Sequence, residues 1–210
     1  MKVLRILAIQ YEKNYMRKYI SLLLLTLALA SLGACGRAPE LKGTRLDPAL
    51  PAPDFTLTDH TGQPFTLSEQ QDKVVLLYFG FTSCPDICPI ELSNLATVKR
   101  ELGAAAADVE VAMITVDPER DLPERLAIYV THFDPAFIGL HGEPEELAPI
   151  YRDYGVHVER RDMPQSAMVY TIDHSGFVYL IDKAGRWRTL YAHNTPAADI
   201  VSDLRILVRE

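Results

Sequence analysis

Val74-Val75-Leu76-Leu77-Tyr78-Phe79-Gly80-Phe81-Thr82-Ser83-Cys84-Pro85-Asp86-Ile87-Cys88-Pro89 decides the fold. Its first six residues are continuously apolar, bounded by charge on the N-terminal side, as in a strand buried on both faces. After Pro89 the apolar residues Ile90, Leu92, Leu95, Val98 and Leu102 recur at helical spacing. A buried strand thus runs through a short turn into an amphipathic helix, with two cysteines at the junction.

Working outward, Phe55-Thr56-Leu57-Thr58 and Phe65-Thr66-Leu67 alternate around Thr61-Gly62, a hairpin signal ahead of the strand. Val109–Val116 reads as a second buried strand, and Leu122–Phe133 and Pro144–Tyr154 as helices, the latter with Pro149 as an internal kink point. Met168–Ile172 and Phe177–Ile181 read as paired strands flanking Asp173-His174-Ser175-Gly176, Trp187–Tyr191 as another strand, and Pro196–Val208 as a closing helix. This order predicts an α/β fold, a mixed central sheet covered on both faces by helices, with an extra N-terminal hairpin.

The 210 residues suit one ordinary domain and a tail. Residues 1–34 carry five Lys/Arg and one acidic residue, leaving 16 basic against 27 acidic side chains beyond them. A domain this acidic repels phosphate backbones, which argues against nucleic-acid binding. Arg17 and Lys18 precede the apolar run Ile20–Ala34, too short for an ordinary spanning helix and suited to a secretory signal. The run ends Leu32-Gly33-Ala34-Cys35, which resembles a bacterial lipobox. That resemblance implies lipidation of Cys35, a membrane anchor, and an exported domain. Residues 1–34 are therefore expected to be a lipoprotein-type signal, 35–52 a Pro- and charge-rich tether, and 53–210 the folded domain.

Cysteines at a helix start feel its positive end, which favours thiolate, the form that attacks disulfides and binds metals. On an ideal helix, positions i and i+4 have Cα atoms about 6.2 Å apart. That fits a disulfide, which prefers about 5.5–6 Å with a ceiling near 6.8 Å. It fits equally two thiolates about 4 Å apart, each about 2.3 Å from one metal. The spacing of Cys84 and Cys88 permits both roles. A purely structural bridge closing so small a loop stabilises little. Of the six histidines, His174 stands out in its short loop between apolar strands, where ligand groups gather in α/β sheets. Two thiolates and one imidazole favour soft metals, Cu(I) first, with Zn(II) and Cu(II) also accommodated. Asp173 is placed either to orient the imidazole or to cap a turn. Asp117-Pro118 reads as a structural turn near the site. Phe81, Trp187 and Tyr191 are either shields for the site or core.

Four blocks in order, Tyr78 to Pro89, Val116-Asp117-Pro118-Glu119-Arg120-Asp121, Phe137-Ile138-Gly139-Leu140, and Asp173-His174-Ser175 before Tyr179-Leu180-Ile181-Asp182, resemble the Sco/SenC family of copper-binding, thioredoxin-like proteins. The resemblance covers nearly all of 53–210. It implies a thioredoxin-like fold, copper ligands at Cys84, Cys88 and His174, and a membrane-tethered periplasmic location. It also implies a role in cytochrome c oxidase assembly, either delivering copper to the CuA centre of subunit II, or to another cuproprotein, or reducing the cysteines of the oxidase copper site. The second role is that of a thiol–disulfide oxidoreductase with Cys84 and Cys88 as the redox-active pair, serving the oxidase or another exported protein.

Overall fold

The computed structural model describes residues 40–210. The expected signal and Cys35 lie outside the described residues. Leu41–Glu210 forms one compact unit.

The strand at the centre, β4 (Val74–Gly80), is buried at all seven positions, as its unbroken apolar sequence requires. It pairs in parallel with β5 (Val109–Thr115), which pairs in parallel with β6 (Ile138–His141). On the other side, β9 (Val178–Ile181) and β10 (Arg186–Tyr191) join antiparallel. The hairpin of β2 (Thr56–Asp59) and β3 (Pro64–Thr66) extends the far edge. With β1 (Thr44–Pro51) these make an eight-stranded mixed sheet of order β1-β10-β9-β4-β5-β6-β2-β3.

Among the described residues, four α-helices flank the sheet: α1 (Ile87–Leu102), α2 (Pro123–Phe133), α3 (Pro144–Asp153) and α4 (Ala197–Leu207). Helix α1 buries Leu92, Leu95, Val98 and Leu102 and packs against α4, whereas Ile90, also counted in the apolar period, is exposed on the opposite side. Helix α3 starts at Pro144 inside a capping box between Glu143 and Glu146 and carries Pro149 within it. Among the described residues no helix is long and apolar enough to cross a membrane.

Two expectations need correction. The expected tether is strand over Thr44–Pro51, antiparallel to β10. This segment contributes backbone rather than side chains: most of it is exposed, and its hydrogen bonds cover an otherwise open sheet edge, where prolines are tolerated. Buried Asp203 accepts the Lys42 and Gly43 amides and the Tyr191 hydroxyl, fixing where the fold begins. Gly43 permits this entry, because a Cβ there would lie 2.5 Å from Thr189 Oγ1 and 2.6 Å from Tyr191 Cε1.

The second concerns the strands around His174. β8 (Val169–His174) does not pair with β9. It pairs antiparallel with β7 (Val158–Met163) in a separate two-stranded sheet. His174 thus ends a strand instead of sitting in a loop between paired strands.

Candidate metal centre

The thiols are placed from the core outward. Leaving β4, the chain turns at Thr82, whose amide and hydroxyl donate to the carboxylate of fully buried Asp121 at 3.0 and 2.5 Å. Thr115, at the end of β5, donates to the same carboxylate at 2.8 Å. Cys84 follows in the turn, outside the helix, and its amide donates to the Phe81 carbonyl. Cys88 lies in the first turn of α1, with its amide donating to Cys84 Sγ at 3.5 Å. The helix therefore directs an unsatisfied N-terminal N–H at the first sulfur. Cys84 is half-buried, Cys88 is buried, and both are free thiols.

The imidazole arrives from the other sheet. His174 Nε2 is 3.4 Å from Cys88 Sγ, and Nδ1 is 3.1 Å from the Ser175 carbonyl. A carbonyl only accepts, so that contact puts the ring proton on Nδ1 and leaves the Nε2 lone pair toward the sulfurs. One donor atom from each of Cys84, Cys88 and His174 lies within 4.8 Å of the other two. Phe81, fully buried, meets the imidazole edge-on at 5.7 Å, and Tyr78 does so at 6.4 Å.

The two thiols titrate unequally. Sharing a hydrogen bond with Cys88 holds the Cys84 thiol down at about 4, against the opposing cost of burial and with help from His174 and the Asp86 and Cys88 amides. Cys88 is pushed far above the usual thiol range by that same hydrogen bond and by burial. The pair thus carries one proton, on the inner sulfur. Burial also raises the Tyr78 hydroxyl and the Glu91 carboxyl. One ready thiolate, one protonated thiol and one imidazole nitrogen facing them make a soft three-donor set, half-open at Cys84 and flanked at the imidazole by Phe81 and Tyr78. Such a set suits a soft ion or thiol exchange.

Cys84, Cys88 and His174 are brought together. Asp173 turns away from the imidazole and pairs with Arg161 at 2.6 Å. Asp117 is buried, accepts the Tyr170 hydroxyl at 2.7 Å and pairs with Arg120. Of the aromatics considered from sequence, only Phe81 reaches the imidazole; Trp187 packs at a tilt against Tyr154 and Tyr179, and the Tyr191 hydroxyl donates to Asp203. Sequence reasoning missed Tyr78, hidden in an apolar run. It also missed buried Glu91, one helical turn after Cys88, which faces His193 Nδ1 at 3.3 Å. A carboxylate on the core face of α1 was the available signal.

Residues 44–209 match the SCO1/SenC family model. The mitochondrial SCO2 homolog of Mus musculus is 41% identical over 156 residues, 72% of this chain and 60% of the mouse protein. A SCO2-like protein of Rickettsia felis is 38% identical over 144 residues, 68% of this chain and 70% of that protein. The match thus spans three fifths of the mouse relative. Among solved structures, Bradyrhizobium japonicum ScoI with copper bound is 34% identical with a TM-score of 0.69, covering 74% of this chain and 98% of that one. Apo Sco1 of Thermus thermophilus in solution is 38% identical with a TM-score of 0.72, covering 82% and 99%. The thioredoxin-like fold expected from the sequence is the fold these structures share with it. By sequence across nearly the whole described domain, and by fold, the chain belongs to the SCO1/SenC family.

Proposed function

We propose that this chain holds one copper ion as cargo on Cys84, Cys88 and His174 and delivers it to the CuA centre of cytochrome c oxidase during assembly. The observation that carries the reading is the convergence of two sulfurs and one imidazole nitrogen, from two separate sheets, within 4.8 Å. Copper supplies a soft Lewis acid that thiolates and imidazole bind well. Copper-bound relatives with the same fold support that choice of metal. The residues divide the work. Cys84 is already ionised and half-exposed, so it forms the first contact and stays reachable for an incoming donor. Cys88 gives up its proton on ligation, as a metal-bound thiol does. His174 offers its Nε2 lone pair, and Phe81 and Tyr78 exclude water from its flank. In this reading a lipid on Cys35 tethers the domain at the periplasmic face of a membrane, within reach of oxidase subunit II.

The test is anaerobic titration of the reduced chain with Cu(I). A stoichiometry of one is expected, with at least about tenfold weaker binding after His174→Ala and loss of tight binding after Cys84→Ala or Cys88→Ala. A different stoichiometry, or unchanged affinity in the His174 variant, rejects the reading.

A second reading is favoured by the inequality of the thiols: a half-exposed thiolate before a buried thiol is the order that disulfide reduction needs. Cys84 attacks one sulfur of a partner disulfide and the other sulfur leaves as thiolate. Cys88, on losing its proton, attacks Cys84 Sγ and releases the second partner thiolate. The partner gains two electrons and this chain ends as a disulfide. Metal-free reduction of one partner disulfide per reduced chain, surviving His174→Ala, is expected here; an inactive metal-free chain removes the reading.

A further inference from the structure

His174 is carried by a two-stranded sheet that shares no ladder with the main sheet, so side chains must fix where the imidazole stands. Residues 170, 172 and 174 share one face of β8, and Tyr170 and Ile172 are its buried members. The guanidinium carbons of Arg120 and Arg160 each lie 3.7 Å from the centroid of the Tyr170 ring. Two cations at that distance cannot share a face, so they sandwich the ring. Each is neutralised locally: Arg120 pairs with Asp117, and Arg160 with Glu119 at 2.9 Å. The Tyr170 hydroxyl donates to Asp117, so ring, cations and carboxylates close on the loop after β5.

Arg120 also reaches past the ring. Its Nη1 donates to the Met168 and Tyr170 carbonyls at 3.2 and 3.1 Å, gripping the start of β8. Its guanidinium carbon lies 5.9 Å from the centroid of Phe81, the ring that meets the imidazole. On the outer side, Arg160 faces Ile172 across the ladder, on the face of Tyr170.

We propose that Arg120, Tyr170 and Arg160 are positioning residues: a cation–π sandwich that clamps the β7–β8 sheet to the loop after β5 and so presets His174 opposite the cysteines. The inference rests on the copper-holding reading and deepens it. The clamp acts by raising the fraction of molecules whose imidazole is in place, and apparent affinity scales with that fraction. Breaking it is expected to weaken Cu(I) binding roughly three- to thirtyfold, the range of a partly desolvated cation–π contact.

The test uses the full-length chain in detergent, reduced and anaerobic, with affinity read by competition against a chromogenic Cu(I) chelator. Tyr170→Leu and Arg160→Ala are measured alone and combined with His174→Ala. Each single variant is expected to bind more weakly, Tyr170→Leu the more so. Tyr170→Phe, which keeps the ring, is expected to stay within about threefold of wild type. Combined with His174→Ala, neither substitution is expected to weaken binding further, because the clamp works through the imidazole. Wild-type affinity in a folded Tyr170→Leu chain overturns the proposal, as does an additive loss in the double variant. Should Tyr170→Leu not fold, Arg160→Ala, on the exposed side, decides alone. Amide exchange of β7–β8 in the metal-free chain is a second readout, expected to quicken in both variants and more in Tyr170→Leu; unchanged exchange refutes the clamp. If wild type and His174→Ala bind Cu(I) alike, the copper reading falls, and exchange still decides whether the clamp exists.

Discussion

Replacing Gly80 by alanine tests whether the inner sulfur and the Tyr78 ring are as tightly packed as the structure has them. A Cβ at position 80 would lie 2.7 Å from Tyr78 Cε1 and 3.2 Å from Cys88 Sγ. Ordinary carbon contacts are near 3.5–4.0 Å, so the ring must retreat by about 1 Å and the sulfur by somewhat less. Neither has room: Tyr78 is 1% exposed and Cys88 0%. Overpacking of this kind costs about 1–3 kcal/mol, or roughly 5- to 150-fold in the folding equilibrium. The sulfur's retreat also alters its 3.4 Å approach to His174 Nε2, so Cu(I) affinity should fall together with stability. Gly139→Ala is the control. Its Cβ would meet Leu126 Cβ at 3.0 Å and Val130 Cγ1 at 3.4 Å, both on α2, so it should cost stability without changing affinity. Urea unfolding of the reduced metal-free chains and chelator competition measure the two effects. A Gly80→Ala chain that unfolds at the wild-type midpoint and binds Cu(I) unchanged refutes this account of the packing.

Four further outcomes follow from other contacts of the fold and the site. The reduced pair should alkylate through Cys84 with an apparent midpoint near 4, and a midpoint in the ordinary thiol range above 7.5 defeats the shared-proton picture. Because folding lowers this pKa, the thiolate's stabilisation is fully present above the unfolded thiol value and is lost as pH falls through about 4; acid unfolding of reduced wild type against Cys84→Ser checks the sign. Asp121→Ala strips the acceptor from Thr82 and Thr115 and should cost about 2–4 kcal/mol in urea unfolding; a cost below about 1 kcal/mol means the Thr82 turn is held by something else. Asp203→Asn should speed hydrogen exchange of the Lys42 and Gly43 amides by about tenfold or more, and unchanged rates would show that β1 is fixed by its ladder alone.

The centre of the sheet was legible because burial on both faces demands an unbroken apolar run, which Val74–Gly80 displays openly. The helix after it was legible by period, although it begins at Ile87, a turn before the first residue counted from sequence, and so takes in Cys88. β7 was not legible. Its residues Glu159, Arg160, Arg161 and Asp162 are exposed and charged, and it is held by its ladder, by cation–π contact and by ion pairs rather than by an apolar face. Missing β7 left β8 without its true partner and gave it β9 instead. β1 was hidden for a related reason, since an edge strand that donates backbone need not look like a strand. At the site, the sequence singled out the two cysteines by chemistry and His174 by its place among strands and by resemblance. Convergence across two sheets is not a property of spacing and needed the fold.

The three donors are anchored by interactions of different kinds. The cysteine turn hangs on Asp121, whose carboxylate is shielded from solvent and binds through short hydrogen bonds inside the core. The imidazole hangs on a small sheet fastened by Arg120 inside and by Arg160 outside, and the outer fastening is largely exposed to water. Exposed ion pairs are worth little and weaken with salt, while buried hydrogen bonds are barely screened. High ionic strength therefore loosens His174 before it loosens either sulfur. A donor set built this way can release its nitrogen and keep its thiolates in register, which is the asymmetry a carrier needs if it is to hold an ion and then give it up.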